Sequence, residues 1–157
     1  MAADSPSRTA ADSLVQMTEI VLPEDSNPRG SIFGGRVLAL IDKCAAIVAM
    51  RHARSEAVTV SLDSVVFSNK VRVGDVLLLA GRLNAAFGSS MEVEVEVHSE
   101  SPLSGARALT TTAFVTMVAV DAAGRPHAVP RLEPRNAEDQ RRAAAASKRR
   151  MERLRSR

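Results

Sequence analysis

One carboxylate, Asp42, stands in a run of small and apolar residues, GGRVLALIDKCAAIVAM (residues 34–50). If the run is a helix, the neighbours of Asp42 at three and four residues are Leu38, Ala39, Ala45 and Ala46. None is basic, so no helix ion pair accounts for the acid. Asp is also a poor mid-helix residue, because its side chain competes for backbone hydrogen bonds. A carboxylate on the apolar side of a helix loses hydration, and that makes it a candidate base or nucleophile. Gly34 and Gly35 open the run. Lacking Cβ, they let another group approach the backbone. The first amides of a helix are unpaired and carry the positive end of the helix dipole, so they can hold a developing oxyanion. The two glycines serve equally as a tight turn into the helix. A base beside an oxyanion site suits hydrolysis of an activated acyl group.

Other chemistries find little support. The chain has no G-x-S-x-G elbow, no G-x-G-x-x-G and no G-x-x-x-x-G-K-[ST]. His52, His98 and His127 fall at a helix end, at a strand end and in a Pro-rich segment, and read as structural or surface residues. The single cysteine, Cys44, excludes an intrachain disulfide and any Cys-based metal cluster. No metal site is expected, and a reducing, cytoplasmic setting is.

The elements that must position Asp42 follow from periodicity. A first strand is expected over 14–22, and PEDSNPRG is a loop dense in turn formers. The helix is expected from Gly34 to about Arg54. Then come VTVSLDSVVF (58–67), rich in β-branched residues, a turn within NKVRVGD (69–75), and a strand over 76–86. FGSS (87–90) is a turn. MEVEVEVHSE (91–100) alternates cleanly, with Met91, Val93, Val95 and Val97 on one side and Glu92, Glu94 and Glu96 on the other. That pattern predicts a strand with one wet face. SPLSG is a turn, and a long last strand covers 106–121. Strands joined by short turns imply an antiparallel sheet. An apolar helix among them must be covered, so the expected architecture is α+β, a curved sheet wrapped around one central helix.

The chain has 157 residues, 45% of them hydrophobic, which suits one domain with a sizeable core. Aromatic content is only 3%, so stacking platforms for single-stranded nucleic acid are mostly missing and nucleic acid is not expected as a partner. No run approaches the ~18 consecutive apolar residues of a membrane span. Residues 1–13 are small and polar, lack the pattern of a secretory signal, and are expected to be disordered. Charge is unevenly spread. Residues 131–157 hold 10 basic and 4 acidic side chains, a net +6, against −3 for residues 1–130. The domain is placed at 14–132, and 133–157 is expected to be a solvated, basic, partly helical tail, with a role toward a phosphate-bearing ligand, RNA or a partner as the alternative.

The string LPEDSNPRGSIFGGRVLALIDKCAAIVAMRHA resembles the hotdog-fold acyl-CoA thioesterases, in particular the short bacterial acyl-CoA hydrolases related to the cytosolic brain enzyme. The shared pattern falls here on Pro23, Asn27, Gly30, Phe33, Gly34, Gly35 and Asp42, and the likeness runs on through VTVSLDSVVF, Val73–Gly74–Asp75, GSSMEVEVEV and the last strand. Lys43, Leu40 and Lys70 depart from residues frequent in the family. The resemblance implies the hotdog fold and a homo-oligomer built from dimers, often a hexamer of three dimers, with active sites at the dimer interface. It implies an acyl-CoA substrate and no cofactor beyond the coenzyme A that the substrate carries. It makes Asp42 the base or nucleophile and Asn27 the polar partner from the facing subunit. Gly88, Ser89 and Ser90 form a turn whose amides can meet phosphate, and Arg54 and Arg72 are the basic candidates for the coenzyme. A hotdog hydratase or dehydratase usually pairs its acid with a histidine, and none lies close to Asp42 in the helix pattern. A non-catalytic acyl-CoA-binding module is the alternative from another class.

Overall fold

Apolar residues recur at steps of three and four from residue 37 onward, and the chain coils accordingly. In the computed structural model, which describes residues 6–157, helix α1 spans Gly34–Ala53. Its buried stripe includes Val37, Leu40, Ile41, Cys44, Ala45, Val48, Ala49 and His52, which helical spacing brings to one side. Arg54 ends it in the left-handed conformation, with φ 55° and its N–H on the Met50 carbonyl at 2.8 Å.

Five strands surround this helix: β2 (Val15–Ile20), β3 (Glu56–Leu62), β4 (Val76–Phe87), β5 (Ser90–Glu100) and β6 (Arg107–Val120). They form one sheet in the order β2-β4-β5-β6-β3, antiparallel throughout. The turns between β4 and β5 and between β5 and β6 are short, as expected. β3 does not pair with β4. It lies on the far edge beside β6, and residues 63–75 carry the chain back across to β4. The strand expected over 58–67 therefore ends at Leu62. α1 touches every strand from β2 to β6, so the sheet curls around it. The core lies between them: Leu40, Ile41 and Val48 from α1 meet Leu79 and Leu83 of β4, Val93 and Val95 of β5, and Val115 and Met117 of β6. Helix and sheet touch most closely at Gly81, where a Cβ would stand 2.7 Å from Cys44 Sγ and 2.8 Å from a Val48 methyl. Only glycine fits there.

Three expectations need correction. The N-terminal segment is ordered from residue 6, while residues 1–5 lie outside the described residues. Ser7–Arg8 (β1) pairs in parallel with Arg131–Leu132 (β7). A 3-10 turn over Ala10–Ser13 follows, capped reciprocally by Thr9 and Asp12, and it buries Ala10 and Ser13. A short polar segment gains order here because its backbone pairs with β7 and two small side chains are buried against the domain.

The second correction concerns the glutamate face of β5. Glu92 is 1% exposed and Glu94 9%, so this face is not wet. The third explains the second. Residues 133–157 are not a solvated tail, because helix α2 (Ala137–Arg155), started by the Asn136 side chain accepting from the Asp139 N–H, lies over the sheet's outer face. Arg149 grips Glu92 with two hydrogen bonds, at 2.7 and 3.0 Å, and stacks 3.7 Å from the centre of the Phe114 ring. Arg142 meets Glu94 at 2.7 Å, Arg153 meets Asp63 at 3.1 Å, and Asp139 binds Arg82. Asn84 donates to both Glu92 and Glu94. The tail's positive charge and the sheet's negative charge are two halves of one contact. No helix of the described residues is long and apolar enough to cross a membrane.

Candidate active site

Asp42 is the ninth residue of α1, about 12 Å along the axis from its start. Each helical residue turns the side chain by about 100°, which sets Asp42 beside the buried stripe and not within it. In the single protomer it is exposed, which corrects the expectation of a desolvated acid. Nor is it without a partner: Thr59 Oγ1, on β3, donates to Asp42 Oδ1 at 2.5 Å. Thr59 itself sits on an edge strand, between Val58 and Val60, which are 49% and 48% exposed. Thr59 is not among the residues that the sequence singles out. One threonine in a β-branched strand, 17 residues from Asp42, carries no local signal, and only the packing of α1 on β3 joins the two.

Asn27 lies in the loop that leads into α1. Its side-chain oxygen accepts from the N–H groups of Arg29 (2.9 Å) and Ser31 (3.2 Å), and its backbone bonds Ser31 and Gly30. Gly30, at φ +77°, makes the bend possible. With its oxygen engaged in the loop, Asn27 has its amide –NH2 left to donate elsewhere. The loop is clamped to the helix by Asp25, whose backbone carbonyl accepts from Phe33 N–H at 2.9 Å and whose carboxylate pairs with Arg36 at 3.1 Å. Phe33 is the residue before the first turn, and Gly34 and Gly35 are the first two helical positions, where amides have no partner within the helix. The two glycines differ. A Cβ on Gly34 would stand 3.1 Å from the Phe67 ring, whereas Gly35 faces open space. Gly34 is thus the close-approach position.

Asn27 and Gly34 line a cavity of about 380 Å³ that does not include Asp42. One protomer holds the two predicted catalytic residues in separate places. The expected coenzyme residues are divided as well. Arg72 is an exposed side chain at the N-terminal end of α1, its backbone bridged to Ser31. Arg54 lies at the other end of the helix, about 30 Å away. The Gly88–Ser89–Ser90 turn is near Arg54, since Ser90 and Val58 both pair with Val118. The carbonyls of Gly88 and Ser89 accept from Val129 and Ala119, which ties the turn to its own sheet.

Two buried titratable groups belong to the fold. His52 is fully buried, and its Nε2–H donates to the Pro130 carbonyl at 2.7 Å. Burial holds its pKa below the usual imidazole range, with the Pro130 bond opposing. Burial also pushes the Cys44 thiol up to about 11, so at neutral pH it is an unreactive S–H. His127 bonds Ser55 Oγ, at 2.8 Å, and not Asp42.

Residues 29–106 match the model of the thioesterase superfamily. A Bacillus subtilis (strain 168) protein named "Uncharacterized acyl-CoA thioester hydrolase YkhA" is 40% identical over 132 residues, covering 84% of this chain and 77% of that one. This chain belongs to the hotdog thioesterases. The crystal structure of an apo-hexameric acyl-CoA thioesterase superposes with a TM-score of 0.92 at 46% identity, covering 96% of this chain and 97% of the other. The acyl-CoA hydrolase of Staphylococcus aureus, solved with butyryl coenzyme A, coenzyme A and coenzyme A disulfide, gives 0.86 at 32% identity over 96% and 94%. Similar structures include variants of that enzyme in which an asparagine, an aspartate 15 positions on, and a threonine 17 beyond that are each replaced by alanine. The mouse cytosolic acyl coenzyme A thioester hydrolase is 33% identical, but the chain spans only 36% of its length.

Proposed function

We propose that this chain hydrolyses acyl-CoA thioesters to a free carboxylic acid and coenzyme A, at sites shared between two copies of itself. Asp42 supplies the carboxylate, as base toward water or as nucleophile toward the thioester carbon. Thr59 fixes one of its oxygens and leaves the other free. Asn27 of the facing subunit polarises the thioester carbonyl or holds the water, and the Gly34 and Gly35 amides are the candidate oxyanion donors. Asn27, Asp42 and Thr59 have the same residue types and the same spacing as the three positions replaced by alanine in the Staphylococcus aureus enzyme.

The observation that carries the shared site is the separation within one protomer. The Asp42–Thr59 pair stands exposed beside the unpaired edge of β3, while Asn27 and Gly34 line a different cavity. A second copy joined along β3 would pair that edge, cover Val58 and Val60, and desolvate Asp42. The similar structure above is hexameric, and three such dimers would make up that number. Thiol release from a panel of acyl-CoA esters of graded length tests the activity. Binding without release would make the chain a non-catalytic acyl-CoA module.

A further inference from the structure

At the C-terminal end of α1, away from Asp42, a serine and a histidine meet. Ser55 stands four residues before Thr59, about 13 Å along a strand. His127 Nε2 lies 2.8 Å from Ser55 Oγ, and His127 Nδ1 lies 2.9 Å from the Ala128 carbonyl oxygen. A carbonyl only accepts, so Nδ1 carries the hydrogen of the neutral ring and Nε2 presents its lone pair to the serine. The Ser55 hydroxyl has one proton and a second acceptor in reach, the Glu56 carbonyl at 3.1 Å, but the imidazole nitrogen is nearer. Both residues are half-buried, so neither is sealed in the core.

The pair is fixed from both sides. The Arg54 N–H bonds the Met50 carbonyl at 2.8 Å, and Glu56 opens β3 opposite Val120. The His127 N–H donates to the Ala119 carbonyl at 3.1 Å, and the Val129 N–H to the Gly88 carbonyl at 2.8 Å. Arg54, directly before Ser55, is the one non-glycine residue at positive φ among the described residues. A glycine would take this helix-ending conformation with less strain. Such outliers cluster at working sites, and this one puts a cation next to the serine in the chain.

We propose that Ser55 is a second nucleophile of this protein, with His127 as its base, and that it accepts acyl groups from small activated esters. A base within hydrogen-bond reach of a hydroxyl, itself oriented by a third group, is the arrangement that activates a serine. Here a backbone carbonyl does the orienting. Ser55 Oγ forms a bond to the acyl carbon as its proton passes to His127 Nε2. The bond from that carbon to the leaving oxygen then breaks, and the leaving group takes the proton from Nε2. Ser55 is left as an acyl ester. The Arg54 guanidinium is the candidate counter-charge for the oxyanion formed between the two steps. This activity uses no residue of the Asp42 site and is independent of the hydrolase reading.

The full chain carrying Asp42→Asn separates the two sites. Mixed with p-nitrophenyl acetate, it should release a burst of about one p-nitrophenolate per chain, and peptide mass spectrometry should find the acetyl group on Ser55. Ser55→Ala should abolish both the burst and the label. His127→Gln keeps a hydrogen-bond acceptor for the serine and removes the base. It should slow acetylation of Ser55 by about 10²-fold or more at an unchanged melting temperature. Acetyl groups found only on lysines or the N-terminus overturn the proposal. So does equally fast labelling of Ser55 in His127→Gln, which would make the pair a latch between α1 and the segment after β6. If either variant does not fold, the other and the position of the label in the Asp42→Asn chain decide by the same outcomes.

Discussion

Asp42 was conspicuous in the sequence for the wrong reason. The absence of a basic partner at helical spacing singled it out, yet its environment in the protomer is exposed and its partner is a hydroxyl from another element. Helical spacing can rule out a local ion pair, but it cannot reveal a contact made through tertiary packing. Asp42→Asn retains an oxygen for the Thr59 bond and removes the carboxylate proposed to react. It should lower kcat by about 10²-fold or more at an unchanged melting temperature. Near wild-type turnover in that variant would exclude Asp42 from the chemistry. His52 offers a pH test of the fold. Its folded pKa is lowered by burial, so as pH falls the unfolded chain takes up the proton first. The stability this group gives is complete above about pH 6.5 and is lost as pH falls toward the folded value. Urea unfolding of wild type and His52→Gln between about pH 7.5 and 5 should show wild type losing stability faster on acidification. Parallel slopes would mean that His52 does not stay neutral inside.

At the scale of elements, the helix and the five strands were legible because binary patterning marks them. Period 3.6 appears from Val37 to Ala53 and period 2 from Met91 to Val97. The strand order was not legible, since nothing local says that β3 pairs with β6 across a crossover. The glutamates of β5 misled for a specific reason. An alternating strand shows that its two faces differ in polarity, but not whether the polar face meets water or arginine. A polar helix with ten basic side chains in its neighbourhood and a strand with three alternating glutamates, Glu92, Glu94 and Glu96, were each read alone as solvated. Arg149→Met tests their union. It leaves Glu92 covered without its two-point partner and should cost about 2–3 kcal/mol, below the cost for a fully buried pair because the Arg149 side chain is 25% exposed. Differential scanning calorimetry should show a fall of about 5–10 °C, partly recovered by adding Glu92→Leu. An unchanged midpoint would return α2 to the status of a loose tail.

At the scale of the whole molecule, the hotdog architecture was readable from element order, but the assembly was implied only by resemblance. The protomer adds a physical motive for it, an uncovered β3 edge beside the exposed Asp42–Thr59 pair. Asn27→Ala and Asp42→Asn homo-oligomers should each be inactive. Mixed oligomers should recover part of the activity, because a heterodimer has one site with both substitutions and one with neither. Mixed species verified by mass spectrometry with no recovered turnover would place both residues in one chain's site. The union of α2 with the sheet also bears on how the chain is made. α2 is synthesised after every strand it covers, and chains fold from the N-terminal side as they emerge. Until it arrives, the nascent domain presents Arg82, Asn84, Glu92 and Glu94 on its outer surface. A late-covered leucine face would stick to other unfinished chains, whereas this face stays hydrated. Closing the outer layer with ion pairs keeps the half-made protein soluble on the ribosome.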